Sequence, residues 1–591
     1  MPEFFLLAEV FIVNCRDILL KAYSEGHFLE AVYDCLSADR EERNELALEV
    51  ASLHNEGLID VVLAFEALSN APESGLDFFL TRNIFEQALP NIEAPVVPVM
   101  RCVLYLYRTA GQDLAAGMVV GKFVEYCAKQ AVRSQEALAE IEANPVELSV
   151  LLAATLAAGF RVDSQAFLDQ AIRLNKNVNV DLRRGAIFSL ANFAPQGSVE
   201  LLEQAIAGLE SSVVGEGDDS VLAAAVSAAY ALLQQDKSQE QRITALIERA
   251  LSKGSDFTLH SVSEFFWQTA EIPVPLIEVL LANLRRVKPT HKGTLDNIDH
   301  GIAHLLKGDG SEMAIQWLEC MLLVAPNELT MEVFDSVAGE IFGNSVLRNK
   351  IVTRWLMRGE RALCNAVHDI VGNAHRREDV LLEIDSAELE STDMARMIFL
   401  ARKFIGYLFM QPVSAASLLV SLMRQTGDDE ILDELGSLLF DPLLLNYTGK
   451  VRDYIIQQSK VESGKVKETL EMSIRAVDEY LEGLRSVGEL PALYPSTAQR
   501  EAYRRDFSRK MAESMKEAEE QSIFLKLASK CVLLYGRKTI NYVHGVNGQT
   551  HRMETPLQSH GVEIEYPRMG NLDPFGMDYM LRIFRNERIS A

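Results

Sequence analysis

The sequence predicts a mostly α-helical protein: an α-solenoid of helix pairs followed by a small C-terminal module of β-hairpin plus helix. Three observations carry this. Apolar runs open near Leu148, Leu182, Val221, Thr258, Leu295 and Thr330, at intervals of 34, 39, 37, 37 and 35 residues, each followed by a second amphipathic run. A unit of that length cannot bury its apolar face without a neighbour, which is the logic of a repeat array. Within each first run the apolar residues keep one helix face, as in Ala186, Ile187, Leu190 and Phe193, or Ile298, Ile302 and Leu305. Beyond Pro491 and Pro495 the texture changes to strand composition around Asn547-Gly548, a pair that suits the positive-φ positions of a tight hairpin turn.

Taken in order, four regions follow: 1–145, N-terminal helical hairpins read as a cap; 146–360, the repeats; 361–490, a distal helical region; and 491–591, a charged helix plus the β-rich module. Early in the chain Leu20, Ala22, Tyr23, Gly26, Phe28 and Ala31 form L-x-A-Y-x-x-G-x-F-x-x-A. This resembles half of a tetratricopeptide unit and implies a small residue where two helices touch. Prolines at 72, 90, 95 and 98 punctuate the next helices. In the repeats the second helices are expected at Val199–Leu209, Arg242–Leu251, Val274–Leu284, Glu312–Leu323 and Leu347–Met357, with turns such as Ala194-Pro195-Gln196-Gly197 between pairs. The period and the helix-pair pattern resemble HEAT-type repeats over about a third of the chain, without an Asp/Arg pair at fixed repeat positions. Residues 361–490 stay helical but lose the period, and end in a long charged segment from Val451 to Val487.

A charged helix is expected from about Gln499 to Lys530, basic in its first third. Cys531–Tyr535, Thr539–Val543 and Val562–Tyr566 then read as strands. Asp573-Pro574 reads as the N-cap and first residue of a closing helix, with Met577, Met580, Leu581 and Phe584 on its apolar stripe.

The net charge is −27, yet residues 499–591 hold 15 Lys/Arg against 12 Asp/Glu, so the rest carries −30. An acidic body disfavours nucleic acid and favours cationic partners. The seven cysteines are widely spaced with no C-x-x-C pair, which excludes a disulfide framework or zinc ribbon and points to a reducing cytoplasm. The apolar stretch at Phe4–Val13 lacks a preceding Lys or Arg and is interrupted by Glu9, so it reads as a buried first helix rather than an export signal. The Leu148–Phe160 run, 13 residues long, is read as too short to span a bilayer.

Candidate chemistry is sparse. His300 and His304 stand at i, i+4, a zinc-ligand spacing, but Gly301, Ile302 and Ala303 between them supply no general base. His544, His551 and His560 in the β-rich tail are the weak candidates for catalysis. No phosphate-binding glycine loop or nucleophile elbow occurs. No metal and no cofactor is expected. Arg500, Arg504, Arg505, Arg509 and Lys510, interleaved with Tyr503 and Phe507, form a basic cluster, and Arg568, Arg582, Arg585 and Arg588 a second. Trp267, Trp317 and Trp355 are expected in the core, any exposed one becoming a candidate anchor.

The resulting expectation is a non-catalytic interaction scaffold. Its acidic helical surface would bind a basic protein partner, and the C-terminal module would be a second docking or self-association site. The alternatives are a nucleic-acid accessory protein acting through 500–510 and the tail, and an enzyme or effector with its site in the tail.

Overall fold

In a computed structural model, the structure describes residues 15–37, 39–71, 75–193, 198–268, 272–372, 380–389, 391–488, 490–491, 495–522, 538–544, 550–556 and 565–589. They are mostly helical and fall into two compact units, Met1–Glu340 and Ile341–Ala591.

The first unit is a two-row stack. One row runs Leu152–Val162, Val180–Ser189, Asp219–Gln235, Asp256–Gln268 and Lys292–Leu305, each helix packed on the one before. The other runs Ser164–Leu174, Val199–Val213, Glu240–Lys253 and Val274–Leu284. Amphipathic stripes bury themselves between the rows: Ala186, Ile187, Ile298 and Ile302 are fully buried. The first row packs the more closely, because its contact positions are small. Asp219–Gln235 presents buried Ala224, Ala225, Ala228 and Ala229. A Cβ at Gly301 would lie 2.0 Å from the Phe266 ring, so only glycine admits this approach. Close spacing in one row and wider spacing in the other makes the first row the inner face of this unit.

Short polar side chains start many of the helices. Asp39, Asp60, Asp77, Asp163, Asn179, Ser198 and Asp218 each accept a hydrogen bond from a first-turn N–H, satisfying donors the helix itself leaves unpaired. Ion pairs one repeat apart tie neighbours together, as in Arg183–Glu216 at 3.0 Å and Arg242–Glu210 at 2.6 Å.

Several sequence expectations change. Gly26 has φ +82 and a Cβ built on it would meet nothing within 4 Å, so it serves the left-handed turn between helices rather than a helix contact; Phe28 and Ala31 do pack inward. The apolar run at Leu148 is part of a continuous helical stretch, Pro145–Val162, of 18 residues with mean hydropathy 1.5. By length and composition it passes as a membrane span, so the length argument fails; 61% of it is buried in the packing, as a core helix would be. The Val451–Val487 segment is two helices, Lys450–Val461 and Gly464–Val487, broken where Gly464 takes φ +60. Of the tryptophans, Trp317 and Trp355 are fully buried while Trp267 is exposed.

In the second unit, Ser345–Arg358, Arg361–Gly372, Met394–Leu408 and Pro412–Met423 continue as packed helices. Thr497–Gln521 opens with a capping box between Ser496 and Gln499. Lys538–His544 and Thr550–Pro556 pair antiparallel as a two-stranded hairpin. The predicted strand Cys531–Tyr535, the Asn547-Gly548 turn and most of Val562–Tyr566 lie outside the described residues, as do residues 1–14 and the turn 194–197; Tyr566 itself is not in a strand. Asp573 caps Pro574–Asn586 as read from the sequence, its carboxylate accepting from the Gly576 N–H at 2.9 Å.

Candidate interaction groove

The inner row of the first unit holds an open groove of about 760 Å³. Its floor is made of small residues, Ala153, Gly185, Ala223 and Ala224, for the same reason that the row packs closely. Phe188 and Phe257 stand on its sides, 46% and 66% exposed. Asp181, Asp218, Asp219 and Glu264 border it, against Arg184 and His260. Helix geometry explains the placement. Phe257, His260, Ser261 and Glu264 follow at three- and four-residue steps along one face of Asp256–Gln268, and Trp267 continues that face one turn on.

The carboxylates differ in freedom. The Ser220 hydroxyl and the first-turn amides hold the Asp218 carboxyl below its ordinary pKa, against the opposing effect of burial. Burial pushes the Asp219 carboxyl up. Hydrogen bonds from the Thr258 hydroxyl at 2.6 Å and the Ser255 and Phe257 amides at 2.6 and 2.7 Å outweigh it and leave the pKa lowered. Both groups therefore stay ionised at the groove rim. Asp219 has a further consequence: it caps the helix of the next pair and so fixes the backbone that carries Phe257. Asp181 pairs with Arg184 at 2.9 Å, and Glu264 lies 3.7 Å from the His260 imidazole, an ion pair only when that ring is protonated.

The sequence candidates fall elsewhere. His300 lies beside Trp267, 6.4 Å between centroids with the rings tilted 44° apart, and its Nδ1 is 3.1 Å from the Ser336 hydroxyl. Among the described residues no group of three His, Cys, Asp or Glu side chains stands where it would hold a metal. In the hairpin His544 is registered opposite Thr550 and His551 opposite Val543, so they do not form a cross-strand pair; His560 lies outside the described residues. Arg505 pairs with Glu501, Arg509 with Asp506 and Glu513, and Lys510 with Asp506, all on one exposed helix with Arg500 and Arg504. In the tail Arg568 lies over the Tyr480 ring at 5.8 Å and Arg582 pairs with Asp578 at 2.9 Å. Arg585 donates to the Gly406 carbonyl, and its own carbonyl accepts from buried Lys403 at 2.6 Å, which anchors Pro574–Asn586 to Met394–Leu408.

No protein-family model and no curated protein matches the chain. One solved structure, described as an engineered protein, aligns over 76% of this chain and 98% of its own at 12% identity with a TM-score of 0.17. A likeness of that degree carries no argument about fold or function.

Proposed function

We propose that this protein is a non-catalytic scaffold whose inner groove holds a segment of a basic partner protein bearing an apolar side chain. The observation behind this is the groove's composition: two exposed phenylalanines over a floor of small residues, ringed by four carboxylates and one arginine. Aromatic walls over a backbone-close floor give a pocket for an apolar anchor, and the acidic rim selects cationic flanks and speeds encounter. A helical repeat array suits such a role, because its stacked inner helices present a continuous surface.

The test uses labelled synthetic peptides that carry lysines or arginines around one Leu or Phe. Trp267, the exposed tryptophan on the groove helix, gives an intrinsic fluorescence readout beside anisotropy. Binding should weaken at least tenfold in Phe188→Ala/Phe257→Ala and fall with added salt. Equal binding by this variant, or by acidic peptides of the same length, would overturn the reading.

A further inference from the structure

The helix Thr497–Gln521 is 25 residues long and, over residues 497–520, exposed on almost every face, with only Asp506 partly buried. Most helical stability in proteins comes from tertiary packing of an amphipathic face, whereas here the support is local: the capping box and i, i+4 pairs such as Asp506–Lys510 at 2.9 Å. Yet the helix carries an apolar row. Tyr503, Phe507, Met511 and Met515 stand at four-residue steps, each 50–59% exposed. The Tyr503 hydroxyl reaches the Gly570 carbonyl at 3.4 Å, and the rest of the row faces solvent.

The charges are divided along the same helix. Residues 497–511 hold five Lys/Arg against two Asp/Glu, a balance of +3; residues 512–521 hold one against four, a balance of −3. The midpoint of the apolar row and the midpoint of the helix are the same residue, Arg509. Arg500 and Arg504 flank the row at its basic end and Glu517 at its acidic end, none with an ion-pair partner among the described residues, whereas Arg505 and Arg509 are paired within the helix. A surface that is apolar at its centre, positive at one end and negative at the other is self-complementary under a two-fold axis through its middle.

We infer that this helix pairs with the same helix of a second copy, antiparallel and centred on Arg509. Phe507 then faces Met511 of the other copy and Tyr503 faces Met515, while Arg500 and Arg504 meet the opposite copy's Glu517 and Glu519. Contact along the whole row needs the shallow crossing of about 20°, in which three-residue ridges of one helix fill four-residue grooves of the other. A parallel pair would set +3 against +3 and −3 against −3. The inference stands on this helix alone and does not depend on the groove.

Sedimentation equilibrium of the full chain tests it, with circular dichroism as a check on helix content. The expected result is a concentration-dependent dimer that Phe507→Glu/Met511→Glu abolishes. Arg500→Glu/Arg504→Glu should weaken the dimer at least tenfold, and adding Glu517→Arg/Glu519→Arg to the same chain should restore it, since both ends are then reversed together. A monomer throughout the micromolar range overturns the inference. So does a dimer indifferent to Phe507→Glu/Met511→Glu, which would place association on another surface such as the exposed Phe575 and Tyr579 of the C-terminal helix. A dimer strengthened by Arg500→Glu/Arg504→Glu would mean parallel pairing and overturns it as well.

Discussion

Asp219→Ala should loosen the helix of the following pair more than its own. The carboxylate takes the Ser255 and Phe257 amides and the Thr258 hydroxyl, at 2.6, 2.7 and 2.6 Å. Losing a helix cap costs about 1–2 kcal/mol. The fully buried Thr258 hydroxyl keeps a second acceptor, the Asp219 carbonyl at 3.2 Å, so its share is nearer ~1 kcal/mol than the full cost of an orphaned group. The sum is about 2–3 kcal/mol, or roughly 30- to 150-fold faster opening. Amide hydrogen exchange across Asp256–Gln268 reads this local opening directly. In a double-mutant cycle with Thr258→Val, about 1 kcal/mol of coupling should appear. The pH dependence has a definite sign. The folded pKa lies below the ordinary value, so the stabilisation is complete above about pH 4 and is lost as pH falls through the folded value. Asp219→Ala removes that dependence. Less than a threefold change in exchange would refute the capping argument, and a large loss with no Thr258 coupling would mean that the substitution acts through packing instead.

Two further outcomes concern packing. Gly301→Ala places a methyl 2.0 Å from the Phe266 ring, and a shift of the urea midpoint worth about 1–3 kcal/mol is expected, partly relieved by Phe266→Leu. Arg82 and Glu86 are buried together with Nε and Oε1 2.8 Å apart, and burial raises the Glu86 pKa despite the arginine; Glu86→Ala should cost about 3 kcal/mol by leaving Arg82 unneutralised, whereas Arg82→Met/Glu86→Leu should be close to neutral in the same denaturation assay.

The repeat array was legible because its driving force is periodic. Val274–Leu284 appears with the bounds its apolar pattern predicts, and the other second helices differ by a turn or less. The groove was not legible in the same way. Its walls are apolar residues left off the core stripe: Phe188 sits between buried Ile187 and Leu190, and Phe257 precedes the stripe of Val262 and Phe266. The usable signal was a bulky aromatic out of phase with its own helix. Links between repeats also left a trace. Asp219 caps at Phe257 and Asp299 at Val337, each across 38 residues, close to the repeat length. The apolar row on Thr497–Gln521 was visible as spacing among the arginines, but only the fold shows that nothing in the described chain covers most of it.

The acidic character of the body has two uses that must be separated before charge is taken as recognition. Asp39, Asp60, Asp77 and Asp163 hold helix N-termini, and Glu210 and Glu216 bridge neighbouring repeats. These carboxylates are spent on stability, and their field is partly cancelled by the amides and arginines they touch. The groove rim draws on the same stock: Asp218 and Asp219 sit at a helix start and face its dipole. Among the described residues Glu264 meets an imidazole and no cationic side chain there, so it presents the least compensated negative charge to a ligand. Removing an aspartate to test binding therefore also loosens the helices that shape the groove. Phe188 and Phe257 cap no helix, and at 46% and 66% exposure neither belongs to the core, so loss of affinity on their truncation separates recognition from helix capping.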